Sequence, residues 1–192
     1  FASFLPPIPD FIKDFLGFDI SGGGGTGPSS FVASDFAEDP EFMAKVNAYA
    51  KEKNIKASDL LGVMAAESRL DPSAVNPVSN ATGLIQFMPS TAESLGTTPE
   101  KLRRMSRSEQ FEYVKKYFDM VGLKNGATAG DIYAKVYLPG RSESEVLTRK
   151  GENYYEQNKG LDVGNKGYIT KTDLASIVEK KKQDFKIRDV YP

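Results

Sequence analysis

Glu67 is the residue of this sequence best suited to acid–base chemistry. It follows an apolar run whose residues recur at helical spacing, namely Leu60, Leu61, Val63 and Met64. Because Glu67 comes one helical turn after Val63, its carboxylate is expected to lie near the apolar face of a helix. Partial burial there disfavours the charged form and raises the pKa, which a general acid working near neutral pH requires.

The helix that carries Glu67 is expected to end close behind it. Proline restricts the residue before it and cannot continue a helix, so Asp71 and Pro72 are predicted to end the helix, and Ser58 is the predicted cap of its beginning. The helix dipole at a C-terminus also disfavours negative charge, which raises the pKa further. By position alone, Glu67 also fits an ordinary solvated glutamate at the edge of an apolar face.

The absence of two residue types narrows the possible chemistry. The 192 residues contain neither His nor Cys, which excludes catalytic triads with His, thiol nucleophiles, disulfides and His-based zinc sites. The 25 basic and 26 acidic residues nearly balance, so the charge gives no reason to expect a nucleic acid or an anionic membrane as partner. No apolar run approaches membrane-spanning length, and we expect neither a cofactor nor a metal.

The residues that follow Glu67 form a recognisable pattern. After Glu67-Ser68, residues 76–86 read Asn-Pro-Val-Ser-Asn-Ala-Thr-Gly-Leu-Ile-Gln, and residues 88–92 read Met-Pro-Ser-Thr-Ala. In order and spacing this resembles the active-site signature of goose-type lysozymes and soluble lytic transglycosylases. The resemblance covers roughly residues 40–140 and is most specific between 67 and 92. It implies a mainly α, lysozyme-like helical domain whose substrate is bacterial peptidoglycan.

The resemblance also implies roles for individual residues. Glu67 would be the single catalytic acid/base, and the matching substrate-binding residues would be Asn76, Ser79, Gln86 and Met88. Asn76 matches the polar loop position best, with Ser79 and Asn80 as competitors because the loop is one residue longer than the common pattern. Apart from the resemblance, Gln86 also fits a backbone-capping amide and Met88 fits simple core filling.

The family also has a tyrosine on a later helix that reaches the catalytic carboxylate or the substrate. In residues 132–140, Tyr137 is the better match, and Tyr133, one turn earlier, is the alternative. The family's Ala-Tyr-Asn-Ala-Gly run is incomplete here, since the asparagine and second alanine are missing and Leu138-Pro139-Gly140 departs from the pattern. A tyrosine at either position also fits an ordinary core residue.

The implied reaction is that of a lytic transglycosylase, which cleaves the β-1,4 bond from N-acetylmuramic acid to N-acetylglucosamine and closes a 1,6-anhydro ring. A hydrolytic lysozyme is the alternative, and its second carboxylate would have to be Asp71 or Asp59. A third possibility is a non-catalytic structural or wall-binding module of a larger assembly. We expect the protein to act in the periplasm or at the cell wall, and a virion, as part of a phage tail, is an alternative location for it.

The sequence predicts four segments. Residues 1–20 are rich in Phe and Pro and are predicted to dock into a phage tail or secretion assembly, or to pack on the domain itself. Residues 21–34 are a predicted Gly-rich flexible linker. Residues 35–150 form the predicted lysozyme-like domain, and residues 151–192 are a predicted C-terminal extension.

Helical spacing and capping signals predict most of the helices. Beyond the helix of Glu67, they are expected to start at Asp39-Pro40 and to span Pro89–Leu95, Thr98–Met105, Ser106 or Ser108 to Val121, Thr128 to Pro139 and Lys171–Asp184. Before the last of these, residues 162–173 resemble an EF-hand calcium loop, but Gly164 and Lys166 stand where oxygen ligands are needed. We therefore expect a degenerate loop that binds no calcium.

Overall fold

The computed structural model describes residues 39–187. Over this range the protein is mainly α-helical with one small sheet, so the predicted fold class is confirmed. In the same range, no helix is long and apolar enough to cross a membrane. The predicted docking segment 1–20 and linker 21–34 lie outside the described residues.

Helices account for most of the described chain. They are α1 (Pro40–Lys53), α2 (Ala57–Ser68), α3 (Pro89–Ser94), α4 (Pro99–Leu102), α5 (Arg107–Met120), α6 (Ala129–Tyr137), α7 (Asn153–Gln157) and α8 (Lys171–Asp184). Short 3-10 helices span Pro139–Arg141 and Lys159–Leu161. Reciprocal capping boxes begin α5, α6 and α8, formed by the pairs Ser106/Glu109, Thr128/Asp131 and Thr170/Asp173. These strong local start signals explain why the sequence predicted these three helices well.

Helix α2 lies at the centre of the fold. All of its residues from Ser58 to Ser68 are buried, and it packs against α1, α6 and α8. A helix that is buried on every side needs neighbours around its whole circumference. The elements that surround α2 therefore fix the place of any residue on it.

Glycines allow α8 to approach both α2 and α6 closely. A Cβ atom on Gly62 of α2 would lie 2.7 Å from Cγ1 of Val178, and one on Gly130 of α6 would lie 2.5 Å from the backbone oxygen of Lys171. Both distances are too short for a real side chain, so only glycine fits. Helix α8 thus holds α2 and α6 in a fixed relation to each other.

A small antiparallel sheet leads the chain into α8. Strand β1 (Val146–Arg149) pairs with β2 (Tyr168–Thr170), with Thr148 opposite Ile169 and an irregularity between Val146 and Thr148. Thr170 then caps the start of α8. The sheet and α8 together join the segment after residue 150 to the body that contains α2.

The loop at residues 162–173 is closed by a lysine. The Lys166 ammonium group lies 2.9 Å from a carboxylate oxygen of Asp162 and 2.9 Å from one of Asp173, the first and last positions of the EF-hand-like loop. Burial opposes ionisation of Asp162, but hydrogen bonds from Lys166, Tyr155 and Gly167 outweigh it, and the pKa of this carboxyl is lowered. A cation of the chain itself thus pairs with both carboxylates.

Two local expectations for α2 are wrong. Ser58 does not cap the helix, because Lys56 occupies the N-cap position and Ser58 is buried inside the helix. The helix ends at Ser68 rather than at Asp71, since Arg69 and Leu70 both adopt left-handed backbone conformations with φ of 57° and 61°. Proline at position 72 therefore follows the end of the helix but does not cause it.

We predict that Lys166→Met destabilises the protein by about 1–3 kcal/mol. Breaking a fully buried ion pair costs about 3–5 kcal/mol. We expect a smaller loss here because the Lys166 side chain is 31% exposed, so water screens the charges that remain. Thermal unfolding measures the loss, and Lys150→Met, at an exposed position beside the same loop, is the matched control. The melting temperature of the unmodified protein should not respond to chelator, whereas a large drop that calcium restores would contradict the role given to Lys166.

Candidate active site

Helix α2 places the Glu67 carboxyl in its last turn, inside the protein. The residue is 9% exposed, and its Oε1 atom accepts a hydrogen bond of 2.8 Å from the Tyr133 hydroxyl on α6. The contact is possible because α2 and α6 pack against each other. A carboxyl group and a phenol therefore meet in a setting largely shielded from water.

This environment changes the ionisation of both groups. Burial raises the pKa of Glu67 from 4.5 to about 7, although the hydrogen bond from Tyr133 lowers it in part. Burial, reinforced by the charge of Glu67, raises the pKa of Tyr133 well above its ordinary value, so the phenol stays protonated and donates. Glu67 is thus able to give up and to take back a proton near neutral pH.

The chain turns sharply after Glu67, and Ser68 ties the turn to the next part of the site. The Ser68 hydroxyl lies 3.0 Å from the backbone oxygen of Met64 in α2 and 3.0 Å from that of Leu84. The spacing of residues in the motif does not predict these contacts of Ser68. Its position next to Glu67 in the motif is the only sequence signal that pointed to it.

Residues 74–87 form a compact loop beside the end of α2. Isolated bridges pair Thr82 with both Val75 and Phe87. The Asn76 side chain is buried, and its Oδ1 accepts hydrogen bonds from the backbone N–H groups of Val78 and Ser79 at 2.8 and 3.3 Å. Asn76 therefore shapes the loop from within.

The other polar candidates of this loop also make local contacts. The Ser79 hydroxyl accepts a hydrogen bond from the backbone N–H of Ala81 at 3.2 Å. Asn80 has a left-handed backbone with φ of 59°, a conformation that asparagine tolerates better than most residues. Both residues are only partly buried, so a ligand can reach them more easily than it can reach Asn76.

Gln86 carries an unsatisfied acceptor. Its Nε2 group donates to the backbone oxygens of Gly83 at 3.0 Å and Ala74 at 3.3 Å, while its buried Oε1 has no hydrogen-bond partner among the described residues. A buried polar atom without a partner costs free energy, which a ligand donor can recover. Met88 lies two residues after Gln86 and is half-buried. It comes immediately before the first residue of α3.

The tyrosine that reaches Glu67 is Tyr133, the alternative of the sequence analysis, and not Tyr137. The Tyr137 hydroxyl instead donates to the backbone oxygen of Tyr154 at 3.3 Å. One helical turn, about 5.4 Å along the axis, separates the two tyrosines. Spacing alone did not distinguish them, because both lie on the same face of α6.

Residues 44–111 of the chain match the family model described as the transglycosylase SLT domain. This part of the chain is therefore similar to the transglycosylase SLT domain. Comparisons with curated proteins and with solved structures gave no match. The resemblance inferred from the sequence motif is thereby confirmed, and the SLT domain supports a function on bacterial peptidoglycan.

The matched SLT residues do not include the whole site. They contain α2, the loop at 74–87 and the first turn of α5, whereas Tyr133 on α6 and the whole of α8 lie beyond residue 111. The hydroxyl that contacts Glu67 therefore comes from outside the matched segment.

The two further carboxylates considered beside Glu67 are already engaged. Asp59 lies eight residues before it, about 12 Å along the helix axis, and forms a buried ion pair with Lys182 of α8. Asp71 is exposed, and its Oδ1 accepts hydrogen bonds from the backbone N–H and the hydroxyl of Ser73 at 2.8 and 2.7 Å. Of these three carboxyls, Glu67 is the one that accepts the hydrogen bond from Tyr133.

We predict that Glu67→Gln stabilises the protein at alkaline pH. The folded-state pKa of about 7 lies above the ordinary value of 4.5, so between these values the unfolded chain releases its proton more readily and stability falls as pH rises. The variant escapes this loss and should be more stable than the unmodified protein by up to about 3 kcal/mol at pH 8. Urea unfolding should show little difference at pH 4, and equal stabilities at pH 8 would contradict the raised pKa.

Proposed function

We propose that this protein is a lytic transglycosylase, which cleaves the β-1,4 bond between N-acetylmuramic acid and N-acetylglucosamine in peptidoglycan. The observation that carries the proposal is the buried Glu67 carboxyl, whose pKa is raised to about 7 and whose Oε1 accepts from Tyr133. It lies in a segment that matches the SLT domain.

In the first step, protonated Glu67 donates its proton to the glycosidic oxygen. The bond between that oxygen and C1 of the muramic acid breaks, and positive charge develops at C1. Glu67 becomes a carboxylate. The Tyr133 hydrogen bond stabilises this charged form, because hydrogen bonds to ionised acceptors are the stronger ones, and so favours proton release.

In the second step, the same carboxylate acts as the base. It takes the proton from the C6 hydroxyl of the muramic acid as that oxygen bonds to C1, which closes the 1,6-anhydro ring. Glu67 is protonated again and ready for another cycle. The reaction consumes no water, and one carboxyl serves as acid and base in turn.

Gln86 is the proposed sugar contact of the loop. Its unpartnered Oε1 is suited to accept a hydrogen bond from an N–H or O–H group of the sugar. We assign Ser79 to the same polar surface, Asn76 to the support of the loop and Met88 to an apolar contact. Tyr137, whose hydroxyl donates to the backbone oxygen of Tyr154, is assigned a structural role beside Tyr133.

A hydrolytic lysozyme is the competing function. It needs a second carboxylate, at roughly 5–5.5 Å for retention or 6.5–9.5 Å for inversion. The ion pair of Asp59 with Lys182 and the turn contacts of Asp71 with Ser73 favour the mechanism with one carboxylate. A non-catalytic module is disfavoured by the intact pair of Glu67 and Tyr133.

The proposed setting is the bacterial cell wall or periplasm. We further propose that residues 1–20 attach the domain to a larger phage tail or secretion assembly, because this segment combines many aromatic residues with few charges. Deleting residues 1–20 would then leave the cleavage of purified wall intact.

We predict that Glu67→Gln lowers the lysis of purified cell wall by roughly 10²–10⁴-fold, since an amide cannot deliver a proton. The loss of turbidity over time measures the rate. Asp71→Asn makes the same chemical change four residues further on and should keep the activity.

The products distinguish the two reactions. Mass spectra of the digest should be dominated by muropeptides that end in 1,6-anhydro-muramic acid, each lighter by one water than the hydrolytic product. Reducing-end muramic acid as the main product, together with an inactive Asp71→Asn protein, would establish a hydrolase. Lysis by Glu67→Gln at the rate of the unmodified protein would overturn the assignment altogether.

A further inference from the structure

Gln110 is a fully buried amide that contacts three separate backbone segments. It lies in the first turn of α5, where its Oε1 accepts from the backbone N–H of Leu84 at 2.6 Å. Its Nε2 donates to the backbone oxygens of Pro72 at 2.8 Å and Leu102 at 2.9 Å. One side chain thus joins the turn after α2, the loop of Gln86 and the end of α4.

Leu84 is held from both sides. Its N–H is bound by Gln110, and its oxygen accepts from the Ser68 hydroxyl at 3.0 Å. Next to it, a Cβ atom on Gly83 would overlap the Gln110 amide, and Gly83 has a φ of 82°. The glycine of the motif is therefore required by the position of Gln110 as well as by its own backbone conformation.

The turn that Gln110 holds is the one that orients Gln86. The Gly83 oxygen accepts from the backbone N–H of Gln86 at 3.0 Å and from its side-chain Nε2 at 3.0 Å. Because Nε2 is bound in this way, the rotation of the amide is fixed and Oε1 is left as the free acceptor. A shift of residues 83 and 84 would release Nε2 and turn Oε1 away.

A second side chain of the same helical turn supports this arrangement. Arg107 donates from Nε to the backbone oxygen of Leu70 at 2.7 Å. Leu70 has a φ of 61°, which is unfavourable for leucine and needs support from its surroundings. The first turn of α5 therefore fixes the chain both directly after α2 and at the Gly83-Leu84 turn.

We propose that Gln110 is a positioning residue that presents Gln86 to the sugar chain. The proposal rests on the function given above. It states that the Gln110 contacts determine how tightly the protein binds the sugar and do not determine the pKa of Glu67. The acidity of Glu67 depends on burial and on Tyr133, which belongs to α6. Sugar binding and the pKa of Glu67 should therefore respond separately to substitution at position 110.

The test measures the binding of the β-1,4 tetramer of N-acetylglucosamine to proteins that carry Glu67→Gln, so that no cleavage occurs. Gln110→Met removes all three hydrogen bonds at nearly constant volume and should raise the Kd about tenfold. Thr97→Val is the matched control, because the Thr97 hydroxyl is buried and has no hydrogen-bond partner among the described residues. It should leave the Kd unchanged.

A double-mutant cycle separates positioning from a general loss of structure. If Gln110 acts through Gln86, Gln86→Ala and Gln110→Met together should raise the Kd no more than Gln86→Ala alone. Gln110→Met without the Glu67 substitution should also keep the Glu67 pKa near its original value. If Gln110→Met does not fold, Gln110→Leu, which likewise removes all three hydrogen bonds, replaces it in the cycle.

The results distinguish this proposal from the proposed function. An unchanged Kd in the position-110 variant would overturn the role of Gln110 even if the protein lyses cell wall. The same holds if the double variant raises the Kd by the product of the two single increases, because the two residues would then act independently. A lowered melting temperature with an unchanged Kd would likewise mean a structural role alone. An inactive unmodified protein whose tetramer binding still depends jointly on Gln86 and Gln110 would overturn the lytic function and keep the positioning role. Failure of the Glu67→Gln parent to bind the tetramer would overturn the positioning role.

Discussion

The hydrogen bond from the Tyr133 hydroxyl to Glu67 joins the two helices that carry the residues of the proposed acid–base chemistry. A carboxyl group must be withdrawn from water to hold its proton near neutral pH, and the same withdrawal opposes the charge that forms when the proton is released. Tyr133 moderates the second effect because its hydroxyl donates to the carboxylate. The proposed chemistry needs both the burial that raises the Glu67 pKa and the Tyr133 hydrogen bond that lowers it. Glu67 and Tyr133 belong to different parts of the chain.

The rest of the fold maintains this contact. Gly62 and Gly130 let α8 lie directly against the helices of Glu67 and Tyr133, so the distance between the two side chains is set by backbone packing. The buried ion pair between Asp59 and Lys182 ties α8 to the far end of α2. Although α8 lies outside the residues that match the SLT domain, it is part of the body that fixes the site.

Strong local signals made parts of this structure predictable from the sequence. Thr170 and Asp173 form a reciprocal capping box, and the predicted helix Lys171–Asp184 has the observed limits. Glu67 was singled out because apolar periodicity and a long motif agreed, and Lys166 was singled out because an ammonium group interrupts a known ligand pattern. In each of these cases a few neighbouring residues carry the information.

The rest depends on contacts between distant parts of the chain, which spacing does not reveal. Left-handed conformations at Arg69 and Leu70 end α2 before the proline acts. The choice between Tyr133 and Tyr137 depends on where α6 meets α2. Gln110 lies beside an apolar stripe as an ordinary polar residue, and only the positions of Pro72, Leu84 and Leu102 give it a role. Tertiary packing decides all three.

In the proposed mechanism, Glu67 keeps its proton until the pH approaches about 7, and a titration of its side-chain carboxyl tests this directly. Carbon-13 chemical shifts of that carboxyl, followed from pH 3 to pH 9 and assigned by their loss in Glu67→Gln, should show a midpoint near the value of about 7 set by burial. In Tyr133→Phe the midpoint should move higher, because the hydrogen bond that lowers it is gone. A midpoint near 4.5 would rule out a proton held by burial, and a midpoint that Tyr133→Phe leaves in place would rule out the influence of Tyr133.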